Sequence, residues 1–325
     1  EYQVYGRRWF MLATYFMIGA QNSSQWICMS AVAAPAARFY GTDNFVVISA
    51  ILIFDIVSPT AFLVSIFISR FGVQRAVMIA AAGTCLGGWI KALWLETEGQ
   101  LFGQTIMAFA HIFSAVGMPV YSAIWHPTKE RVLSTSILFF ATILGGGTGF
   151  VLAPLIIGEN PSRVPLFFLV QAIIGTVACV PALAFQRKPP TPPSRSAEVA
   201  ESLPSTSFCR DIARLCGNGQ FLILLLAFCL GFAIMNTVAI TAQDIFKDYT
   251  PLQVGLIGAG TVFTGMFGCV FLSIIVDRTE RYKEALVTSN ALAGLTMLWL
   301  YFILRDRWGF MWVASAVFFC GFFGI

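Results

Sequence analysis

Apolar residues fall in ten long runs, and most charged residues fall between them. The runs cover roughly 9–37, 45–69, 76–95, 101–125, 133–157, 166–185, 220–243, 253–276, 285–304 and 309–325. Most approach or exceed the ~20 residues a helix needs to cross a bilayer. Backbone amides in lipid find no water to bond, so runs of this length form helices. The pattern predicts an all-α, polytopic membrane protein. The last run is still apolar at Ile325, and the chain starts with Glu1 beside a ready-made helix. Both ends read as cut.

Composition sharpens this. Hydrophobic residues make up 58% of the chain and charged ones 11%, less than half the roughly 25% usual in soluble domains. The net charge of +4 asks for no nucleic-acid partner, and its distribution says more than its sum. Fourteen of the 20 Lys and Arg residues lie in loops on one side, from Arg7 and Arg8 through Arg187 and Lys188 to Lys283. The other six are Arg38, Lys91, Arg163, Lys247, Arg305 and Arg307. Basic loops stay inside. The first side, with the N-terminus, is therefore expected to be cytosolic, in the plasma membrane or an organelle membrane. Of eight cysteines, six lie inside apolar runs, where cysteine acts as a small hydrophobe. Cys209 and Cys216 have no following Cys/His pair, so no metal site is expected. No nucleophile, base and orienter set is visible, so neither an enzyme nor a cofactor is expected. Gly255-Leu256-Ile257-Gly258-Ala259-Gly260 has no strand before it and is not a nucleotide loop.

Residues 186–219 break the rhythm. Pro189-Pro190-Thr191-Pro192-Pro193-Ser194 favours extended, solvated chain. Ser207 to Asn218 reads as a short amphipathic helix on the membrane surface. Six runs precede this segment and four follow. The expected organisation is a six-helix bundle over 1–185, a cytosolic linker over 186–219, and an incomplete bundle over 220–325. The short basic turns Ser69–Arg75 and Asp277–Glu284 occupy equivalent places in the two halves. This resembles the parallel repeat of major facilitator superfamily transporters, with about ten of twelve helices present. Arg70, Arg75, Asp277 and Arg278 are then expected as gating residues that pair when the carrier faces outward.

Further motifs narrow the resemblance. Arg7-Arg8-Trp9 opens the first run, and Asn22-Ser23-Ser24-Gln25-Trp26-Ile27 sits within it. Cys85-Leu86-Gly87-Gly88-Trp89-Ile90-Lys91 ends the third, and Gly117-Met118-Pro119 lies in the fourth. The Pro-rich linker, Ile212-Ala213-Arg214-Leu215, Asp277-Arg278 and Tyr282-Lys283-Glu284 follow in order. Together they resemble the feline leukaemia virus subgroup C receptor family, solute carrier family 49. Glu130-Arg131 through Gly149 and Pro154 resembles the family's renal-carcinoma-associated branch as much. The resemblance implies facilitated transport of a small organic solute: choline or ethanolamine, haem, or a pyridoxine-like vitamin. The competing reading is a receptor or sensor that uses the same fold without transport. Oligomeric state is left open.

Five residues follow from position and one from the resemblance. Trp26 lies deep in its run rather than in the interfacial belt where membrane tryptophans collect. Its face suits a cation, and it matches the family's cage tryptophan; packing between helices is the alternative. Asn22 and Gln25, with Gln21, share its polar stretch. His111 lies mid-run, as a solute ligand or as a helix–helix contact. With no second buried histidine expected, a doubly ligated haem is disfavoured. Asp55 is the acid deepest in an apolar run, where charge is costly and usually faces a cavity or partner. It reads as a counter-ion, a proton site, or a partner of Ser58. The family's second cage residue, a tyrosine, aligns best with Asn236, which leaves the cage one-sided.

Overall fold

The computed structural model describes residues 3–194, 208–279 and 281–324, without the side chains of 208–211, 273, 274, 276, 277 and 282. Eight helices among them are long and apolar enough to cross a membrane. The first helix, α1 (Arg7–Ile27), is more polar because of Gln21 to Gln25. The last, Phe310–Gly324, is shorter.

The expected first span of 9–37 is not one helix. It ends at Ile27, passes a 3-10 turn at Ser30–Val32, and restarts as α2 (Ala33–Tyr40). Pro35 lacks an amide proton and is best accommodated in a helix's first turn, which favours the restart. Gly41 closes α2 at φ +64, a left-handed cap. The second span is α3 (Asn44–Val57) and α4 (Ala61–Phe71), joined by a 3-10 turn containing Pro59. Then come α5 (Val73–Leu93), α6 (Thr97–Trp125), α7 (Arg131–Ile156) and α8 (Val164–Cys179).

The linker begins against the helices rather than free in solvent. Pro189 and Pro193 are buried. The Thr191 and Tyr5 hydroxyls lie 3.1 Å apart, and Arg131 Nη2 donates to Ser194 Oγ at 3.2 Å. Residues 195–207 fall outside the description. The surface helix is α9 (Phe208–Cys216), with Arg214 exposed. Next follow α10 (Gly219–Ile240), α11 (Ala242–Ile245), α12 (Pro251–Thr279), α13 (Tyr282–Arg305) and α14 (Phe310–Gly324).

Helix α5 packs on α6, α1 on α7, and α12 on both α7 and α14. The α1–α7 seam is close because glycine makes it so. A Cβ on Gly145 or Gly149 would strike the Ala20 or Ser24 carbonyl. The largest core cluster joins Met29, Val32 and Ile48 to Phe150, Phe167 and Phe246. Gly255 and Gly258, the apparent loop motif, lie inside α12 and accommodate Phe150.

Contacts between helices before and after the linker gather at the end remote from it. Ser30 Oγ donates to the Ala239 carbonyl, and also reaches that of Ile240 at 3.2 Å. The Ala34 amide donates to Gln243 Oε1 at 2.8 Å, and Asn44 Nδ2 to Asp244 Oδ1 at 3.1 Å. Arg70 and Arg278 at the linker end are exposed, and Arg75 stands 5.4 Å over the Phe71 ring. The Asp277 side chain lies outside the description, so its expected pairing has no geometry here.

Candidate functional site

Helix α1 ends where five other helices meet it, and its polar stretch divides by helical phase. At 3.6 residues per turn, positions four apart share a face. Gln21 and Gln25 face α5 and α8. Gln21 Nε2 donates to Gln171 Oε1 at 2.8 Å and to the Gln171 carbonyl at 3.0 Å. Gln25, 1% exposed, lies against Gly88 and Gly175 with neither amide atom bonded among the described residues. Asn22 instead meets α6 and the Thr84 hydroxyl of α5, and Trp26 faces α3 and α6. The four residues therefore do not form the single polar wall that sequence adjacency suggests.

Asn22 is fully buried and ties three helices. Its Nδ2 donates to Thr84 Oγ1 at 2.9 Å and to the Met107 carbonyl at 3.1 Å. A carbonyl can only accept, so the amide orientation is dictated. Oδ1 then faces His111 Nδ1 at 2.9 Å and must accept. His111 therefore carries its proton on Nδ1, which leaves the Nε2 lone pair to a further donor. Interhelical hydrogen bonds of this kind contribute about 0.6–2 kcal/mol each in membranes. Asn22 is thus a positioning group for His111, enclosed in the bundle.

Trp26 stands in the last turn of α1, half-buried. The Phe54 ring from α3 links it to His111. Phe54 lies 6.0 Å from Trp26 and 5.5 Å from His111, centre to centre and tilted in both cases. The indole Nε1 is buried without a partner among the described residues. Phe54 is the aromatic that sequence reading missed; only its place beside Asp55 hinted at it. The next residue, Asp55, is also half-buried and accepts from Asn236 Nδ2 of α10 at 3.4 Å. Two residues 181 positions apart, singled out for separate reasons, thus meet across the helix bundle. Ser58 bonds the Asp55 main-chain carbonyl at 2.8 Å, not the carboxylate. Asn236 is half-buried as well.

Two expectations change. Lys91 is not a loop charge: it is 0% exposed on α5 and donates from Nζ to Gln104 Oε1 at 2.9 Å. A second buried histidine exists, His126, at the linker end of α6. It lies fifteen positions beyond His111, about 22 Å along a helix, too far for both to hold one iron. His126 sits beside Glu130 and Tyr121, each at 3.5 Å. Burial pushes its pKa below the ordinary imidazole value, Glu130 pulls it back up and Arg8 pushes it down further. Surface cavities of about 310 Å³ beside Tyr249 and Trp308, and about 460 Å³ between Pro119 and Phe139, lie away from the Trp26 group.

A family model described as Major Facilitator Superfamily matches residues 11–325. Solute carrier family 49 member A3 of Xenopus tropicalis is 26% identical over 340 residues, covering 100% of this chain and 70% of that protein. The choline/ethanolamine transporter flvcr2a of Danio rerio is 26% identical, covering 96% and 69%. The human choline/ethanolamine transporter FLVCR2 is 26% identical, covering 94% and 63%. A bacterial homologue of the human lysosomal transporter Spinster, inward-facing and unoccupied, superposes with TM-score 0.72 at 13% identity, over 99% of this chain and 74% of that one. The xylose transporter XylE from E. coli, partially occluded and inward open, gives 0.73 at 14% identity, over 98% and 84%.

Proposed function

We propose that this chain, which belongs to the Major Facilitator Superfamily, carries a small amphipathic or cationic organic solute by alternating access. The observation that carries the reading is the half-buried Trp26 and His111 around the buried Phe54 ring, with Asp55–Asn236 beside them. Aromatic faces attract an ammonium at roughly 0.5–2 kcal/mol, and a carboxylate supplies the opposite charge. Choline or ethanolamine, the solutes in the names of several relatives, have this chemistry. Haem is a poorer fit, since His126, the other histidine, lies too far along the chain for both rings to hold one iron. Asn22 and Gln25 support the site from within the bundle.

Closure at the end remote from the linker supports an inward-open state, if the linker is cytosolic. Arg70, Arg75, Asp277 and Arg278 would then pair only in the opposite state. The expected layout remains a bundle over 1–185, a linker over 186–219 and a partial bundle over 220–325.

Uptake into proteoliposomes bearing the full-length protein tests this, screened over choline, ethanolamine, pyridoxine and haem. For a cation, affinity should fall in the order Trp26, Trp26→Phe, Trp26→Ala at matched expression. Asn236→Tyr should strengthen choline binding by adding a second aromatic face. Normal affinity in Trp26→Ala would assign the indole to packing. Solute binding with no uptake would favour the receptor reading.

A further inference from the structure

Lys91 is the buried charge that this reading leaves unused. A charge enclosed within a membrane-crossing helix is expensive and marks function by default, and Lys91 is 0% exposed in the last turn of α5. Its ammonium has three donors and, among the described residues, one hydrogen bond, to Gln104 Oε1. Nζ also stands 5.3 Å from the centre of the Phe168 ring, over its face. The helices make room for it. A Cβ on Gly103 would fall on the Lys91 stem and on the Gly87 carbonyl, so that α5–α6 crossing admits only glycine.

The bond to Lys91 dictates how Gln104 points. Lysine only donates, so Gln104 must present Oε1 to it. Its Nε2 then donates to the Trp26 main-chain carbonyl at 3.1 Å. That carbonyl belongs to the last turn of α1, where carbonyls lack helical partners. Positive charge near a helix C-terminus is electrostatically favoured. Lys91, Gln104 and the Trp26 carbonyl thus form a directional chain from α5 through α6 to the end of α1.

We propose that Lys91 is a positioning residue for the solute site: it orients Gln104, which anchors the main chain of Trp26 and so sets where the indole stands. The proposal deepens the reading of Trp26 as a solute contact and rests on it for its effect on transport. Its structural core is independent of any solute.

The test uses the full-length protein labelled with 5-fluorotryptophan, with the Trp26 resonance assigned through Trp26→Phe. Lys91→Met removes the donor in an apolar side chain of similar length. Gln104→Glu keeps an acceptor for Lys91 but loses the donor to Trp26. Both variants should move the Trp26 resonance and raise the choline KM about ten-fold, with Vmax unchanged at equal surface expression. Lys91→Met should add nothing in a Trp26→Ala background. A merely structural role predicts that Gln104→Glu, which gives Lys91 a countercharge, behaves like the parent. An unmoved Trp26 resonance in both variants would overturn the proposal. So would an unchanged KM in both while Trp26→Ala raises it, which leaves the Trp26 reading standing. If Trp26→Ala itself transports normally, the solute reading fails, and a moved resonance would still uphold the anchoring chain.

Discussion

At the scale of the residue, Asp55 is the most consequential single charge. It joins Asn236 through a neutral amide donor at 3.4 Å, a weak bond that a cation can replace. Hydrogen bonds to charged groups contribute about 1.5–3 kcal/mol, or roughly ten- to a hundred-fold in affinity. Asp55→Asn keeps the shape and removes the charge. For a cationic solute it is expected to raise KM by at least about ten-fold in uptake assays, with little change in expression. An unchanged KM would reduce Asp55 to packing. His126 carries the opposite kind of prediction. It is buried at the linker end, and its pKa is held below the ordinary value chiefly by desolvation. An unfolded imidazole takes a proton near about 6.5, so the unfolded state binds more protons just below that pH. Its contribution to stability is present above about 6.5 and is lost as pH falls toward the lower folded value. Melting of the purified protein should therefore shift down between about pH 7 and 5. His126→Asn should flatten that slope.

At the scale of the element, α1 and α7 depend on two glycines four residues apart. Gly145 and Gly149 each meet backbone carbonyl atoms of α1, whereas Gly146 between them faces open space. Gly149→Val should push the helices apart and cost roughly 1–3 kcal/mol, as overpacking does. Gly146→Ala should be neutral or gain up to about 1 kcal/mol from helix propensity. Thermal melting in detergent separates the two. Equal losses would mean that the seam does not set the α1–α7 distance. The break after Ile27 belongs to this scale too. A continuous span would put Trp26 in mid-helix, but the restart at Ala33 leaves it in a final turn whose carbonyl needs an outside donor. Gln104 of α6 provides one.

At the scale of the whole molecule, the bonds from Ser30, Ala34 and Asn44 to α10 and α11 close the end remote from the linker. A carrier that alternates must break them in each cycle. Asn44→Cys with Asp244→Cys, in a background lacking exposed cysteines, should be bridged by a short bifunctional methanethiosulfonate, because the parent side chains meet at 3.1 Å. The crosslinked form should stop uptake and recover on reduction. Full transport in the crosslinked form would mean that this end does not open.

Much was legible in the sequence because lipid leaves few choices. Backbone amides must be satisfied within helices, so run lengths and interrupting charges determined the helical class. The parallel turns at Arg70 and Arg278, the Pro-rich segment and the motif order determined the superfamily. Trp26, Asp55 and His111 stood out because polar or interfacial side chains are costly at depth, and Asn236 stood out through the family resemblance. Tertiary structure decided what each of them touches. Helical phase turned Gln25 away from Trp26, although they are neighbours in sequence. Lys91, counted as a loop charge near the end of a run, is enclosed by α6 and α8 because glycines at the crossing leave space for its stem. Asp55 meets Asn236 only because chains 181 residues apart pack together. Periodicity reports which face of a helix is apolar; it holds no record of which helix will lie against that face.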